Sequence, residues 1–323
     1  MIQLVVQDNV SGQVKDISAL VVAVTWETAV EDQPGKLTFQ YQHVPGVDLN
    51  EGSVIMLKVN GTGVFYGYVF KRGVREDLMI TITAYDQLRY LKNKDTRVIK
   101  SLTASQLFEQ LCKELNLQHR VVEASTYVIA SLIQDNKAYY EMISRAITDT
   151  LINSANWYVI YDNFGVIEFN NLNNLKTPIY LGPATSITSY TYESEIDSDT
   201  YNQIKLIRED TEAGKREVYI AKDSSNIAKW GSLQYFEKVD AGANSAQIRE
   251  RAEGLLKAKN RVTKSLSLVA VGDLRIRAGS GVILDLPDLD GFGFQGKRYY
   301  MVTECQHSFQ NEAHAMHLKV RLV

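Results

Sequence analysis

The stretch Glu51–Thr83, EGSVIMLKVNGTGVFYGYVFKRGVREDLMITIT, decides how the chain folds. Val54 to Val59 and Val64 to Phe70 are runs of β-branched, apolar and aromatic residues separated by Asn60-Gly61. Such residues suit a pleated, half-buried surface, and Asn-Gly supplies the positive φ angles that a tight hairpin needs. The Thr62-Gly63 that follows leaves room for a longer loop, and Leu78 to Thr83 adds an alternating strand. Toward the N-terminus, Leu4 to Val6, Leu20 to Trp26 and Leu37 to Tyr41 read as further strands, with turn signals at Pro34-Gly35 and Pro45-Gly46. Several short strands within one hundred residues predict a small antiparallel barrel or sandwich over residues 1–94.

Toward the C-terminus the period changes. Thr103-Ala-Ser-Gln106 fits a capping box, and Leu107, Phe108, Leu111, Cys112 and Leu115 follow at helical spacing. A second helix is expected from about Ala138 to Ser154, with Met142, Ile143, Ala146, Ile147 and Leu151 on one face. Trp157 to Tyr161, a turn at Asp162 to Gly165, and Val166 to Phe169 read as a hairpin. Lys92, Lys94, Arg97 and Lys100, interrupted by Asp95, look like a solvated connector. Residues 95–180 are therefore expected to be an α+β insert.

Strand character returns at Ile187 to Tyr192, Gln203 to Arg208 and Glu217 to Ala221. A helix near 245–260 turns Ile248, Ala252, Leu255 and Leu256 inward. Leu266 to Val271, Gly281 to Leu286, Arg298 to Val302 and Met316 to Val323 are the closing strands. These echo the opening stretch: Glu51 to Leu57 can be laid beside Gly279 to Asp285, Val64 to Tyr68 beside Arg298 to Met301, and Leu78 to Thr83 beside Met316 to Leu322. The expected fold is a β-rich α+β arrangement: two small antiparallel β-barrels, 1–94 and 181–323, flanking the insert. A repeat inside one subunit would double the apparent rotational order of a symmetric oligomer.

Composition narrows the function. The chain is 45% apolar and 23% charged with a net charge of −3, and no Lys/Arg run offers the footprint of a nucleic-acid binder. Met1 to Asp8 lacks the pattern of a secretory signal, and the apolar run Ile17 to Val24 is too short to span a bilayer as a helix. Cys112 and Cys305 fit buried, reduced thiols. Ser280 sits in Ala-Gly-Ser-Gly-Val, one residue too tight for a nucleophile elbow, and Gly61, Gly63 and Gly67 precede no helix. Asp285 to Gly291 fails as a calcium loop, because Leu286 and Lys297 occupy positions that need oxygen ligands. Cys305, His307, His314 and His317 match no zinc spacing, and a structural His307–His314 pair across a turn at 310–313 reads better than a metal site. Glu193, Glu195, Asp197 and Asp199 form an alternating acidic run that suits a solvated edge or channel wall better than a catalytic pair. No catalytic, cofactor-binding or metal residue is predicted.

Three groups of segments resemble the phage tail-hub family, in its XkdQ/YqbQ-like branch related to late control protein D hubs. The first is Ala84-Tyr-Asp86-Gln-Leu-Arg89-Tyr90-Leu91 with Leu102 to Phe108 and Leu115-Asn-Leu117. The second is Lys137 to Met142 through Ala155-Asn-Trp-Tyr158. The third is Trp230-Gly231 to Gln234, Ala252 to Leu256, Gly272-Asp273, Arg277-Ala-Gly279 and His314-Ala-Met316. The resemblance implies a non-enzymatic baseplate subunit of a contractile phage tail or tail-like particle, assembled in the bacterial cytoplasm. It implies a homotrimer forming a pseudo-sixfold ring that joins the tail tube or its initiator to the central spike. Tape-measure protein and baseplate wedge are further implied partners, with no stable nucleic-acid or membrane contact. Glu193, Glu195, Asp197 and Asp199 would line an acidic channel. A cell-wall-directed hydrolase and a glycan- or receptor-binding baseplate module are the alternatives.

Overall fold

Strands from both ends of the chain alternate buried and exposed side chains in step, and this merges them into one sheet. The computed structural model describes residues 2–31, 33–47, 49–183, 185–210, 215–239, 242–292, 294, 296–310 and 313–322. The sheet runs Ile187–Glu195, Thr263–Val271, Ala313–Leu322, Arg298–Gln310, Val21–Ala29, Lys36–Gln42, Met79–Tyr85, Thr62–Val74, Val54–Val59, Ile2–Gln7, Val14–Asp16. Every step along this path is antiparallel. Gly281–Leu284 adds to Arg298–Gln310 and also pairs in parallel with Lys176–Leu181. The joint between the two ends of the chain is the pairing of Val21–Ala29 with Arg298–Gln310, which sets Trp26 opposite His307.

Both ends are β-rich as expected, but among the described residues no pairing closes either into a ring. They share a strand order instead. Val54–Val59, Thr62–Val74 and Met79–Tyr85 form a meander continued in the sheet by Lys36–Gln42 and Val21–Ala29. Gly281–Leu284, Arg298–Gln310 and Ala313–Leu322 form another, continued by Thr263–Val271 and Ile187–Glu195. The three pairs of segments matched by sequence thus occupy corresponding positions.

Each end packs its own core. Val24, Trp26, Leu37, Phe39, Ile80 and Ile82 pack with Leu4, Ile55 and Leu57, joined by Phe309 from the far end of the chain. Leu266, Leu268, Met316, Leu318 and Val320 pack with Val282, Leu284 and Cys305. Fully burying one such side chain contributes about 1.5–3 kcal/mol, so slipping one strand by a residue would expose its whole apolar set. One close approach is made possible by a glycine. A Cβ on Gly67 would stand 2.3 Å from the Tyr85 carbonyl oxygen and 2.6 Å from the Phe65 ring. Gly67→Ala is expected to cost about 2 kcal/mol, read as a lower urea midpoint with unchanged slope.

The insert follows its helical signals. Helix Ala104–Glu114 starts at Thr103, whose side chain accepts from the Gln106 N–H while Gln106 returns a bond to the Thr103 N–H. It packs Leu107, Phe108, Leu111 and Cys112 against Tyr140, Ile143 and Ala146 of helix Tyr139–Ser154. The hairpin Tyr158–Asp162 and Ile167–Asn171 completes this core, with His119–Val121 added in parallel. The basic segment read as a connector is instead strand Lys94–Thr103, paired with Val128–Ala138, and Arg97 bonds Asp95 and Glu114.

The strands expected at 203–208 and 217–221 lie outside the main sheet. Gln203–Asp210 pairs with Lys215–Lys222 and with Gln234–Lys238 in a separate sheet of three. Ile204 and Leu206 pack on Ile248, Ala252 and Leu255 of helix Ser245–Lys259, whose first turn is capped by Asn244 and Gln247. This unit is tied to the insert by charge: Arg145 and Arg251 both bond Asp149 and Glu237, at 2.7–3.2 Å for the closest contact of each pair. Among the described residues no helix is long and apolar enough to cross a membrane.

Candidate functional site: a polar sheet face and the junction behind it

Period-two alternation gives the main sheet two unlike faces. Behind lie the two apolar cores. In front, registers carry polar side chains from strand to strand across both ends of the chain. One row is Lys36, Glu27, Gln306 and His317, and the next is Glu304, Lys319, Ser267 and Thr191. Beyond Ser267, Ser265 stands opposite Glu193 on the outermost strand. A groove of about 760 Å³ lies over the joint between the two ends, lined by Glu27, Lys36, Gln306, His317 and Lys319 among others. Charges within it are matched: Lys36 lies 3.0 Å from Glu27, and Lys319 lies 3.5 Å from Glu304.

The acidic run falls on the outer strand of this face. Glu193 and Glu195 are exposed on Ile187–Glu195, which among the described residues pairs on one side only, and Asp197 and Asp199 are exposed just beyond it. Glu193 accepts from the Ser265 hydroxyl at 3.5 Å, Glu195 accepts from Ser198, and Asp199 pairs with Lys259. The four carboxylates thus share an edge rather than converging on a point.

Behind the sheet, a ring stack crosses the joint. His307 is 0% exposed and stacks on Trp26, with centroids 5.0 Å apart. Its Nε2 lies 2.8 Å from the Ile276 carbonyl oxygen and its Nδ1 lies 2.9 Å from Nε2 of His314. A carbonyl only accepts, so neutral His307 carries its hydrogen on Nε2 and takes one from His314 at Nδ1. Burial pushes His307 down to about 4, and the same cause lowers His314. The Cys305 thiol, raised by burial to about 12, lies 3.2 Å from Nε2 of His307. His317 sits on the opposite, exposed face, so the four candidate ligands do not converge. Of the predicted turn at 310–313, residues 311–312 lie outside the described residues.

A second buried cluster joins the two ends to the insert. The Arg277 guanidinium lies 4.5 Å from the Tyr161 ring and 5.8 Å from Trp26, and its Nη1 donates to the Asp162 carbonyl oxygen at 2.8 Å. Asp162 accepts from the Gly165 N–H at 2.7 Å, and Asp86 accepts from the N–H groups of Gly35 at 2.9 Å and Leu88 at 3.0 Å. Burial raises both carboxyls, and repulsion from Asp162 raises Asp86 further, with Arg277 opposing both. Sequence reasoning assigned no role to this cluster. The signal was nevertheless present, since Asp86, Arg277 and His314 all belong to the segments that carry the family resemblance.

The model of a family described as YQBQ-like matches residues 24–321. Protein YqbQ of Bacillus subtilis strain 168 is 31% identical over 275 residues, covering 84% of this chain and 82% of that protein. The phage-like element PBSX protein XkdQ of the same organism is 29% identical over the same shares of both chains. The fold is similar to the 43 kDa tail protein of prophage MuSo2 from Shewanella oneidensis. That likeness has a TM-score of 0.70 at 11% identity, over 99% of this chain and 98% of that one.

Proposed function

This chain belongs to the YQBQ-like family, and from that membership we propose that it is a structural baseplate hub of a contractile phage tail or tail-like particle. Three copies form a ring with six similar lobes, two per chain, that joins the tail tube or its initiator to the central spike. The carrying observation is the polar sheet face, continuous through both ends of the chain and backed at each end by an apolar core. Such a face resists collapse against an apolar partner and suits the wet wall of an axial passage. The two strand meanders are read as the barrel units of the ring.

Work done by this subunit is mechanical, with no reacting group required. Glu27 and Glu304 are matched by lysines, and the negative stretch of the wall is the outer strand, where Glu193 and Glu195 lie with Asp197 and Asp199 close by. An acidic wall repels phosphates and limits sticking of a passing nucleic acid. Tape-measure protein and baseplate wedge are the remaining expected neighbours.

Native mass decides the proposal. Light scattering on the chain mixed with its tube and spike partners is expected to give a complex containing three copies of the 36.4 kDa chain. A chain that never reaches three copies in the presence of both partners refutes the hub reading.

A further inference from the structure

The repeated strand order singles out two strand edges that are left open. In the joint inside the chain, Val21–Ala29 pairs with residues 304–310, the second half of the 13-residue strand Arg298–Gln310. The counterpart of Val21–Ala29 in the other repeat is Ile187–Glu195, and both are 9 residues long. The counterpart of Arg298–Gln310 is Thr62–Val74, which is also 13 residues long. Among the described residues Ile187–Glu195 has a ladder on one side only. Thr62–Val74 pairs with Val54–Val59 through Tyr68, and loop bonds from Gly52 and Ser53 reach Val69. Beyond Val69 only Met79–Tyr85 pairs with it. The two edges that correspond to the inner joint therefore each lack a strand against them among the described residues.

We infer that Ile187–Glu195 of one copy adds as an antiparallel strand to the open edge of residues 70–75 in a second copy, repeating the inner joint between molecules. This contact needs the second copy that the hub reading supplies, but its register comes from this chain alone. Eight strands lie from one open edge to the other, each antiparallel to the next. An even number makes the outer strands run oppositely, so a rotation about an axis along the sheet brings them together antiparallel. Stepping through the pairings matches Thr191 with Thr25 by way of Ser267 and Thr38. It likewise matches Lys71 with Glu304, since each follows the bulge in its own strand. The inner joint sets Glu304 opposite Ala29, whose counterpart is Glu195. Between copies this places Glu195 opposite Lys71, Glu193 opposite Gly73, and Thr191 opposite Arg75.

Charge agrees with a register that was set without reference to charge. Glu193 and Glu195 are exposed on one edge, and Lys71, Arg72 and Arg75 are exposed on the other. Opposite charges across a ladder are favourable, and like charges directly opposed are not. Two acidic edges, or two basic ones, repel each other, so a self-matching dimer through either edge is disfavoured. Head-to-tail addition remains, and it closes into a ring when the rotation permits.

The experiment uses the full chain with its tube and spike partners. A Glu195→Cys, Lys71→Cys variant, oxidised in the assembled mixture, is expected to give covalent species up to three copies. Each single variant is expected to stop at the background level. So is Glu195→Cys combined with Val14→Cys, a control at the opposite end of the strand path. The native thiols, Cys112 and Cys305, are buried. Glu195→Lys is expected to weaken assembly roughly fivefold or more, and adding Lys71→Glu is expected to restore it. Assemblies of three copies without the specific link, or insensitive to the charge reversal, overturn this contact while leaving the hub reading intact. A wild-type chain that stays monomeric with both partners overturns the two together.

Discussion

Replacing Arg277 by methionine is expected to lower the unfolding free energy at pH 8 by about 3–5 kcal/mol. The side chain is the cation at a meeting point of three parts of the chain: Trp26 from the first, Asp86 and Tyr161-Asp162 around the insert, and its own loop from the last. Asp86 is 3% exposed and Asp162 is 5% exposed, so neither can recover solvation when the guanidinium is removed. Removing one member of a buried ionic set is costly because the others stay buried and uncompensated. Methionine fills much of the volume, so the loss reads charge and hydrogen bonding more than cavity formation.

The pH dependence separates this mechanism from simple repacking. Both carboxyls are already raised above the usual 3.8, and losing Arg277 raises them further. A raised carboxyl supports the fold below its unfolded-state value, and that support is lost as pH rises through the folded value. The Arg277→Met penalty is therefore largest at neutral and alkaline pH and shrinks toward pH 4. Urea titrations of both proteins at pH 8 and pH 4.5 check this. A penalty under 1 kcal/mol at pH 8, or one that grows in acid, sinks the account.

How much of this was legible in sequence follows from the range of each signal. Helix Ala104–Glu114 and its Thr103 cap are local events, and the residues that make them are neighbours. The strands of both meanders could likewise be placed from alternation and turn residues. Strand Lys94–Thr103 was missed because charged residues are interleaved along it and its partner lies some thirty residues away, which no local period records. For a related reason the strands expected at 203–208 and 217–221 were placed in the second barrel, whereas they pair in a separate sheet completed by Gln234–Lys238. Its strands have ordinary strand composition, and only tertiary pairing says which sheet they join. The Asp86–Asp162–Arg277 cluster unites residues far apart in the chain, Asp162 and Arg277 being 115 positions apart. For the acidic run, spacing showed an exposed edge, while the complementary edge at 70–75 emerged only once the strand order was known.

Acid should open the joint between the two ends of the chain before it unfolds the rest, and His307 is the cause. Its ordinary value of 6.5 falls to about 4 in the folded protein. Burial is the largest cause, with His314 and Arg277 adding to it and the Ile276 carbonyl and Asp273 opposing. A histidine with a depressed folded value binds protons more readily when unfolded. Its contribution is therefore complete above pH 6.5 and is lost as pH falls toward 4. The difference between the two values is worth about 3 kcal/mol between pH 7 and pH 4. Asp86 and Asp162 act in the opposite sense over part of that window, so wild type alone does not isolate the histidine. His307→Phe keeps a ring against Trp26 but has nothing to titrate. It is expected to lose about 1–2 kcal/mol at pH 7 with the bonds to Ile276 and His314, and then to fall less steeply in acid than wild type. Subtracting the two pH profiles cancels the carboxyls, which both proteins share. The same event has a local signature, because Trp26 stands opposite His307 in the joint. Amide exchange at 23–29 and 304–310 should accelerate first as pH falls from 6.5, measured against the intrinsic rate at each pH. Uniform acceleration across both cores, or parallel acid profiles for wild type and His307→Phe, would leave the histidine with no part in the joint's stability.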